Sequence, residues 1–211
     1  KQLLRALMNI RMPDQIDEKF LKIQDDYLSE ELSNKTITSL KDLNPAEEHI
    51  YLWKGDITTL EVDAIVNAAN SSLLGCFLPG HACIDNAIHS AAGIQHRLAC
   101  NDMMMKQGKR EETGTSKITF AYNLPCRYVI HTVGPIIQNK VTQRDRDLLE
   151  SCYTSCLNLA VDHDVKSIAF CCISTGEFHF PNDIAAEIAV GSVKKFLKNH
   201  EMDVIFNVFK E

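Results

Sequence analysis

Cys76, His81 and Cys83 lie within eight consecutive residues, in the spacing C-x4-H-x-C. Two thiolates and an imidazole suit zinc, with tetrahedral ligands at roughly 2.0–2.3 Å. Three protein ligands with an open fourth position are typical of catalytic sites, whereas structural sites are usually closed by a fourth. The spacing leaves two alternatives: a closed site completed by His89, His179 or a distant cysteine, or small buried thiols beside a solvent-facing histidine.

Two polar, glycine-containing segments, residues 67–83 and 173–180, each connect an apolar run to a predicted helix. Free backbone N–H groups and the positive end of the helix dipole at such helix N-termini suit a diphosphate. The net charge is −6 and basic residues form no dense run. We therefore expect backbone groups to hold any bound phosphate, and we expect no nucleic-acid partner.

The chain has 211 residues and eight cysteines, with 45% hydrophobic and 24% charged residues. This composition is typical of a globular domain that can build its own core, so reduced thiols are expected rather than a disulfide framework. The sequence shows neither a secretory signal nor an apolar run of the roughly 20 residues that a membrane span needs. We expect a cytoplasmic protein with no membrane partner.

Residues 1–45 are predicted to form a helical extension that packs on the main domain as a brace. After Pro13, Asp14 is predicted to cap the second helix of this extension. The apolar stripes of the two helices are Leu3, Leu4, Leu7 and Met8, then Ile16, Phe20, Ile23 and Tyr27.

Residues 46–211 alternate between predicted strands and helices, which indicates a three-layer α/β/α domain around a central sheet. Such sheets bind ligands beyond the carboxyl ends of their strands, where residues 67–83 and 173–180 should meet. The predicted strands are residues 50–53, 64–68, 117–122, 128–133, 167–172 and 204–209. The predicted helices are residues 84–92, 94–107, 142–161 and 181–198.

Several ordered motifs between residues 50 and 200 resemble those of macrodomains. They are GDIT at 55–58, VDAIVNAAN at 62–70, DNAIH at 85–89, YVIHTVGP at 128–135 and ISTG at 173–176. The segment GCFLPGHAC at 75–83 is similar to the zinc-dependent microbial subfamily, which also has a helical N-terminal extension. The resemblance implies that the central sheet is mixed, and that Cys76, His81 and Cys83 bind Zn²⁺ near the distal ribose of ADP-ribose.

The resemblance also implies roles for the residues around the ligand. Asp56 would bind the adenine amino group and the N–H of Ile57 the ring, unless Asp56 only caps its own turn. Asn70 would contact the distal ribose, unless it only stabilises the loop. The first loop, including Ser71 and Gly75, would surround the diphosphate. The second loop would contribute Ser174, Thr175, Gly176, Glu177 and Phe178.

The roles of several residues around the ligand stay open. Gly176 permits close backbone approach, Glu177 could be a solvated charge, and Phe178 could be a core aromatic rather than a ribose contact. Asp85 matches a catalytic acidic position of the family. It could align or deprotonate water, orient His81 or another ligand, or cap its helix.

The predicted activity is hydrolysis of mono-ADP-ribose from protein side chains, with zinc, Asn70 and Asp85 in the catalytic centre and a carboxylate as leaving group. Members of the resembled subfamily accompany a sirtuin-type ADP-ribosyltransferase that acts on lipoyl-carrier proteins, which makes both classes candidate partners. The alternatives are a non-catalytic ADP-ribose reader, an O-acetyl-ADP-ribose deacetylase and a purely structural zinc protein.

Overall fold

The computed structural model describes residues 1–209, which form nine strands and six α-helices. The helices are α1 (Gln2–Ile10), α2 (Glu18–Ser33), α3 (Ile84–Ala92), α4 (Ile94–Gln107), α5 (Gln143–Asp162) and α6 (Asn182–Leu197). The strands are β1 (Thr38–Ser39), β2 (Pro45–Glu47), β3 (Ile50–Lys54), β4 (Leu60–Glu61), β5 (Ala64–Ala68), β6 (Ser116–Phe120), β7 (Tyr128–Thr132), β8 (Ser167–Phe170) and β9 (Asp203–Val208).

Seven strands form one mixed sheet in the order β2-β3-β9-β8-β5-β7-β6, and β1 pairs separately with β4. The five central strands are parallel, while β2 and β6 run antiparallel at the two edges. Helices flank the sheet, with α5 packed on α6 and α3 packed on α4. The predicted α/β fold class is confirmed.

The central position of β5 explains its composition. A parallel strand covered on both faces buries nearly every side chain, and four of its five residues are buried. From β5 the chain crosses through α3 and α4 to β6 and β7, then returns through α5 to β8 on the other side of β5. The loops after β5 and β8 therefore flank the crevice where the direction of winding reverses, as expected.

The extension differs from its prediction. Asp17, not Asp14, caps α2, because its carboxylate accepts hydrogen bonds from the N–H groups of Lys19 and Phe20 at 2.7 and 3.1 Å. The predicted apolar stripe of α2 is not buried, since Phe20 and Ile23 are exposed. Instead, buried Gln24 attaches the helix: its Oε1 accepts from the N–H of Ile94 at 2.9 Å.

Two further boundaries differ. The predicted division between residues 45 and 46 falls inside β2, which is an edge strand of the main sheet. The strand predicted at 167–172 ends at Phe170, and Cys172 is exposed. In α1, Met8 is buried as predicted, but Leu3 and Leu7 are exposed. Across residues 1–209, no helix combines the length and the apolar character that crossing a membrane requires.

Candidate functional site

The loop after β5 is folded around Asn70. Its Oδ1 accepts from the N–H of Ser72 at 3.0 Å, and its Nδ2 donates to the carbonyl of Gly75 at 3.1 Å. Leu73 is completely buried and has a φ of 57°, and Gly75 has a φ of 80°. Two left-handed residues in this short stretch turn the chain sharply, so the loop returns over the start of α3.

The three predicted metal ligands come together at the end of this loop. One donor atom each from Cys76, His81 and Cys83 lies within 4.8 Å of the others, and Cys76 Sγ is 3.5 Å from His81 Nδ1. All three residues are partly exposed. Cys83 is also the N-cap of α3, accepting from the N–H of Asn86 at 3.4 Å. Burial raises the pKa of the Cys83 thiol above its ordinary value, and a cation beside the sulfur would lower it.

A buried amide braces the backbone of the same loop. Asn86 is fully buried, and its Nδ2 donates to the carbonyl oxygens of Cys76 at 3.4 Å and Leu78 at 3.0 Å. Its Oδ1 accepts from Nη2 of Arg5 at 2.9 Å, and the same nitrogen donates to the carbonyl of His81 at 3.3 Å. The extension therefore contacts the candidate metal loop directly.

Two more side chains complete this attachment. Asn9 Oδ1 accepts from the N–H of Gly80 at 2.9 Å. Arg97 Nε donates to the carbonyl of Leu74 at 2.7 Å, and its Nη1 donates to the carbonyls of Met8 at 3.1 Å and Asn9 at 2.9 Å. One guanidinium thus joins the end of α1 to the middle of the loop.

Asp85 lies behind the loop and is 5% exposed. Its oxygens accept hydrogen bonds from Asn67 Nδ2 at 2.8 Å and Asn70 Nδ2 at 3.2 Å. Burial raises the pKa of Asp85 to about 6, although both amides and the charge of Arg97 oppose the rise. The N-cap of α3 is Cys83 rather than Asp85, so the structure favours a carboxylate that organises the two asparagines.

The second loop, residues 173–180, is held mainly by its own backbone. The N–H of Phe180 donates to the carbonyl of buried Ser174 at 3.0 Å, and the N–H of His179 donates to that of Gly176 at 3.0 Å. Gly176 is exposed, and a Cβ there would meet nothing within 4 Å. Phe180 is buried in the core, whereas Phe178 is partly exposed, so its assignment to the ribose stays a prediction.

Glu177 connects the two loops. Its carboxylate lies 3.6 Å from Nε2 of His81, although its side chain is 71% exposed. Because Nδ1 of His81 faces Cys76, the carboxylate is placed on the opposite ring nitrogen. Carboxylates in this position orient many metal-binding histidines. The neighbouring Thr175 is held by its own turn, its hydroxyl donating to the carbonyl of Cys172 at 3.0 Å.

Asp56 begins a 3-10 turn, Ile57–Thr59, directly after β3. Oδ1 accepts from the N–H and the hydroxyl of Thr58 at 3.0 and 2.7 Å, while Oδ2 lies 3.2 Å from Nζ of Lys35 in the extension. Burial raises the pKa of Asp56, but the Thr58 bonds and the Lys35 charge outweigh burial and hold the pKa below its ordinary value. The side chain does cap its own turn, and Oδ2 faces outward.

The family model described as "Macro domain" matches residues 66–189. The chain belongs to the Macro domain family. This macrodomain is 57% identical over its full length to a "Protein-ADP-ribose hydrolase" of Treponema medium, of which the alignment covers 83%. It is 50% identical over its full length to a "Protein-ADP-ribose hydrolase" of Staphylococcus aureus (strain MSSA476), covering 80% of that protein.

The fold is also similar to a solved structure, the Trypanosoma brucei macrodomain in complex with ADP-ribose. The TM-score is 0.76 and the identity 32%, covering 98% of this macrodomain and 90% of that chain.

Sequence reasoning about this macrodomain found the residues of the two loops but missed those that hold them. Arg5 and Asn9 belong to a helix that was interpreted only as a brace, and Asn86 stands inside a quoted motif without a role. Arg97 shows one recognisable signal, since a charged residue on the buried side of a predicted helix requires polar partners.

Proposed function

We propose that this macrodomain is a zinc-dependent hydrolase that removes mono-ADP-ribose from carboxylate side chains of modified proteins. It is a hydrolase that acts on ADP-ribosylated proteins, as the names of its relatives suggest. The zinc requirement and the carboxylate linkage are the finer parts of the proposal. The observation that carries it is the convergence of Cys76, His81 and Cys83 at the end of the first loop, which also holds the hydrogen-bonded pair Asn70 and Asp85.

The donor geometry supports zinc. Tetrahedral zinc with sulfur at about 2.3 Å and nitrogen at about 2.0 Å separates these two ligand atoms by about 3.5 Å. The distance from Cys76 Sγ to His81 Nδ1 is 3.5 Å. Three donors leave a fourth position for substrate or water, as in catalytic sites. When bound, zinc supplies Lewis acidity, which stabilises negative charge that develops on an oxygen.

The chain's own residues then position the substrate. Glu177 lies 3.6 Å from Nε2 of His81, on the ring nitrogen opposite Nδ1, and would orient the imidazole for a metal held at Nδ1. Asp85 accepts hydrogen bonds from Asn67 and Asn70, which fixes the orientation of the Asn70 amide that would contact the distal ribose. We assign Asp85 a positioning role, because both of its oxygens accept hydrogen bonds from amides.

The rest of the ADP-ribose follows the crevice. Asp56 would accept a hydrogen bond from the adenine amino group through Oδ2, sharing this oxygen with Lys35, and the N–H of Ile57 would contact the ring. Residues 71–75 and 174–178 enclose the diphosphate with backbone groups, in keeping with the scarcity of basic side chains. This leaves the anomeric carbon near the metal ligands at the end of the first loop.

The reaction is addition of water to the anomeric carbon of the distal ribose. The glycosidic C–O bond to the protein carboxylate breaks, which releases free ADP-ribose and the unmodified acidic side chain. A carboxylate is a good leaving group, so this small set of polar groups suffices. Suitable substrates are mono-ADP-ribosylated proteins, and we include lipoyl-carrier proteins modified by a sirtuin-type transferase among the candidates.

The eight free cysteines support a reducing, cytoplasmic location. A lipoyl-carrier protein and its transferase are tested by incubating the ADP-ribosylated carrier with the purified macrodomain. Release of ADP-ribose from the carrier, but not from an unrelated acceptor modified to the same extent, supports this pairing. Equal release from both removes the carrier from the proposal.

The zinc requirement is tested with Cys76→Ser on a protein mono-ADP-ribosylated at glutamate. We expect zinc content to fall and hydrolysis to drop at least about 100-fold, a loss of roughly 3 kcal/mol of transition-state stabilisation. The matched control is Cys126→Ser, a buried thiol outside the site. Undiminished hydrolysis by metal-depleted protein would refute the requirement.

The same assay separates the competing functions. A reader would bind the modified protein and release it intact in a single-turnover experiment. A deacetylase would act on O-acetyl-ADP-ribose much faster than on the protein conjugate. The positioning role of Asp85 predicts that Asp85→Ala and Asn70→Ala reduce hydrolysis non-additively, because each removes the same contact. Additive losses would give Asp85 an independent role.

A further inference from the structure

Behind the crevice lies a second group of potential metal ligands, separate from Cys76, His81 and Cys83. It consists of His89 on α3, His96 and Cys100 on α4, and His131 on β7. One donor atom from each lies within 4.8 Å of all the others. The four side chains are buried, with exposed fractions between 0% and 4%. We refer to these four residues as the buried donor cluster.

The cluster leaves imidazole nitrogens without partners. Nδ1 and Nε2 of His89 and Nε2 of His96 have no hydrogen-bond partner within residues 1–209. The rings pack closely, with centroids 4.7 Å apart for His89 and His96 and 5.1 Å apart for His96 and His131. Buried polar atoms nearly always have partners, so the unpartnered nitrogens of His89 and His96 point to a ligand between the two rings. A cation would accept one lone pair from each ring, since a neutral imidazole offers only one.

The directions of the known hydrogen bonds fit such a cation. Nδ1 of His96 lies 3.3 Å from the carbonyl of Phe120, so Nδ1 carries the proton and Nε2 offers a lone pair. This arrangement, with one nitrogen on a backbone carbonyl and the other on the metal, is common among zinc-binding histidines. Cys100 Sγ lies 3.7 Å from Nε2 of His131, close to the 3.5 Å or so expected between sulfur and nitrogen on tetrahedral zinc.

His131 has competing partners. Its Nε2 lies 3.0 Å from the hydroxyl of Thr119, and its Nδ1 lies 3.2 Å from Nδ2 of Asn67. Because the amide nitrogen of Asn67 is a donor, Nδ1 accepts and the ring proton lies on Nε2, which donates to Thr119. Coordination through Nε2 would therefore displace this proton and replace the Thr119 contact with the ion. Removing the Thr119 hydroxyl should therefore change the metal affinity of the cluster while leaving all four donors in place.

We infer that His89, His96, Cys100 and His131 form a second zinc site. Three imidazoles and a thiolate suit zinc, and four protein donors fill its tetrahedral shell. A closed site is structural, so this ion does not itself touch the substrate. The inference concerns different donors from those of the proposed catalytic centre.

The location gives the ion an effect on that centre. A Cβ built on Gly75 would lie 2.7 Å from the ring of His89, so this imidazole forms the floor of the first loop. Nε2 of His89 also lies 3.5 Å from Oδ1 of Asp85. Fixing His89 on a metal therefore fixes the surface on which Gly75 and Asp85 rest.

Metal stoichiometry tests the inference. Protein is refolded with excess zinc, desalted and analysed for zinc per chain. We expect two ions in the wild type, one in Cys76→Ser and one in His96→Leu. Cys156→Ser, which removes a buried thiol outside both groups, should retain two. One ion in the wild type that Cys76→Ser abolishes would overturn the second site and leave the proposed function intact.

Cobalt spectroscopy covers the case in which His96→Leu does not fold. In the double variant Cys76→Ser, Cys83→Ser, Co²⁺ should produce a thiolate-to-metal charge-transfer band that depends on Cys100. Absence of this band in folded protein overturns the inference.

Thr119→Val supplies the finer test. It should strengthen retention of the second zinc against a chelator, because it removes the competitor for His131. Unchanged retention would exclude His131 from the donor set and so refute the four-donor site.

Discussion

The two loops that enclose the crevice both follow central parallel strands, yet they are held in place differently. Side chains from α1, α3 and α4 attach the first loop, among them Arg5, Asn86 and Arg97. The second loop folds mainly on its own turns, and Gly176 and Glu177 at its tip are exposed. The difference teaches that the part of the crevice that carries the candidate metal ligands is the part that the rest of the chain immobilises.

This contrast suits the two tasks. Catalytic donors must be held within a fraction of an ångström, which requires supporting contacts from rigid elements. A loop that surrounds a diphosphate has to admit and release its ligand, which requires segments of low local stability. Four tests can break or sharpen the comparison, and we take them in order of expected effect.

Arg97→Met should have the largest effect. It removes the donor that satisfies the carbonyls of Leu74, Met8 and Asn9, and hydrogen bonds to charged groups contribute about 1.5–3 kcal/mol each. We expect the free energy of unfolding in urea to fall by about 3 kcal/mol. The control is the exposed Arg127, which lies over the ring of Tyr128. Arg127→Met should change the free energy of unfolding by less than about 0.5 kcal/mol. Equal losses would mean that the first loop does not depend on its anchor.

A matched glycine pair compares the loops directly. Gly75→Ala places a side chain at a φ of 80° and against the ring of His89, so we expect a loss of about 2 kcal/mol in stability. Gly176→Ala meets no atom, and its stability should stay within about 0.5 kcal/mol. Thermal melts measure both. If Gly176→Ala nevertheless weakens ADP-ribose binding in calorimetry, the backbone at residue 176 approaches the ligand. Similar losses of melting temperature in the two variants would show that the two loops do not differ in how tightly they are held.

Glu177→Ala tests the contact between the loops. Loss of a carboxylate that orients a metal-binding histidine typically weakens metal affinity 10- to 100-fold. Because Glu177 is largely exposed and 3.6 Å from His81, we expect the lower end, about 10-fold, in competition with a chromogenic chelator. Glu187→Ala, on the exposed side of α6, should have no effect. An affinity equal to that of the wild type would make Glu177 a solvated charge.

Lys35→Met should have the smallest effect. The Lys35 charge helps to hold the pKa of Asp56 low, so the substitution should raise this pKa towards its ordinary value. A carboxylate with a lowered pKa stabilises the fold above its unfolded pKa, and this stabilisation is lost as the pH falls through the folded pKa. In the variant this stabilisation should therefore be smaller, and its loss should be complete at a higher pH than in the wild type.

Carboxyl NMR titration of Asp56 measures this shift directly. Lys198→Met, an exposed lysine near the end of α6, is the control and should leave the Asp56 titration unchanged. An unaltered titration in Lys35→Met would show that the extension does not influence the adenine end of the crevice.

Prediction from sequence succeeded where the signal was local. The apolar run at 64–68 identified a central strand because burial on both faces excludes polar residues. The trio Cys76, His81 and Cys83 was found because its members lie within one loop, and the structure brings their donor atoms together. Their assignment to zinc stays a prediction.

Prediction failed where the contacts are distant in sequence. Arg5 reaches the carbonyl of His81 across 76 residues, and Asn9 reaches Gly80 across 71. No periodicity marks such pairs. The prediction for α2 failed for a related reason. The helix is attached by buried Gln24 rather than by its apolar stripe, and attachment through a polar side chain produces no hydrophobic periodicity in the sequence. Asp14 and Asp17 both suit a helix cap, and only the folded chain selects Asp17.

The position of Arg97 has a thermodynamic consequence. Because one side chain holds both the end of α1 and Leu74, docking of the helix and occupation of the crevice are linked equilibria, and linkage is reciprocal. A ligand that orders the loop around Leu74 would also strengthen the packing of α1 on the domain. By reciprocity, a packed α1 would raise the affinity for the ligand by the same factor. Hydrogen-exchange protection of α1, measured with and without ligand, would give this coupling energy.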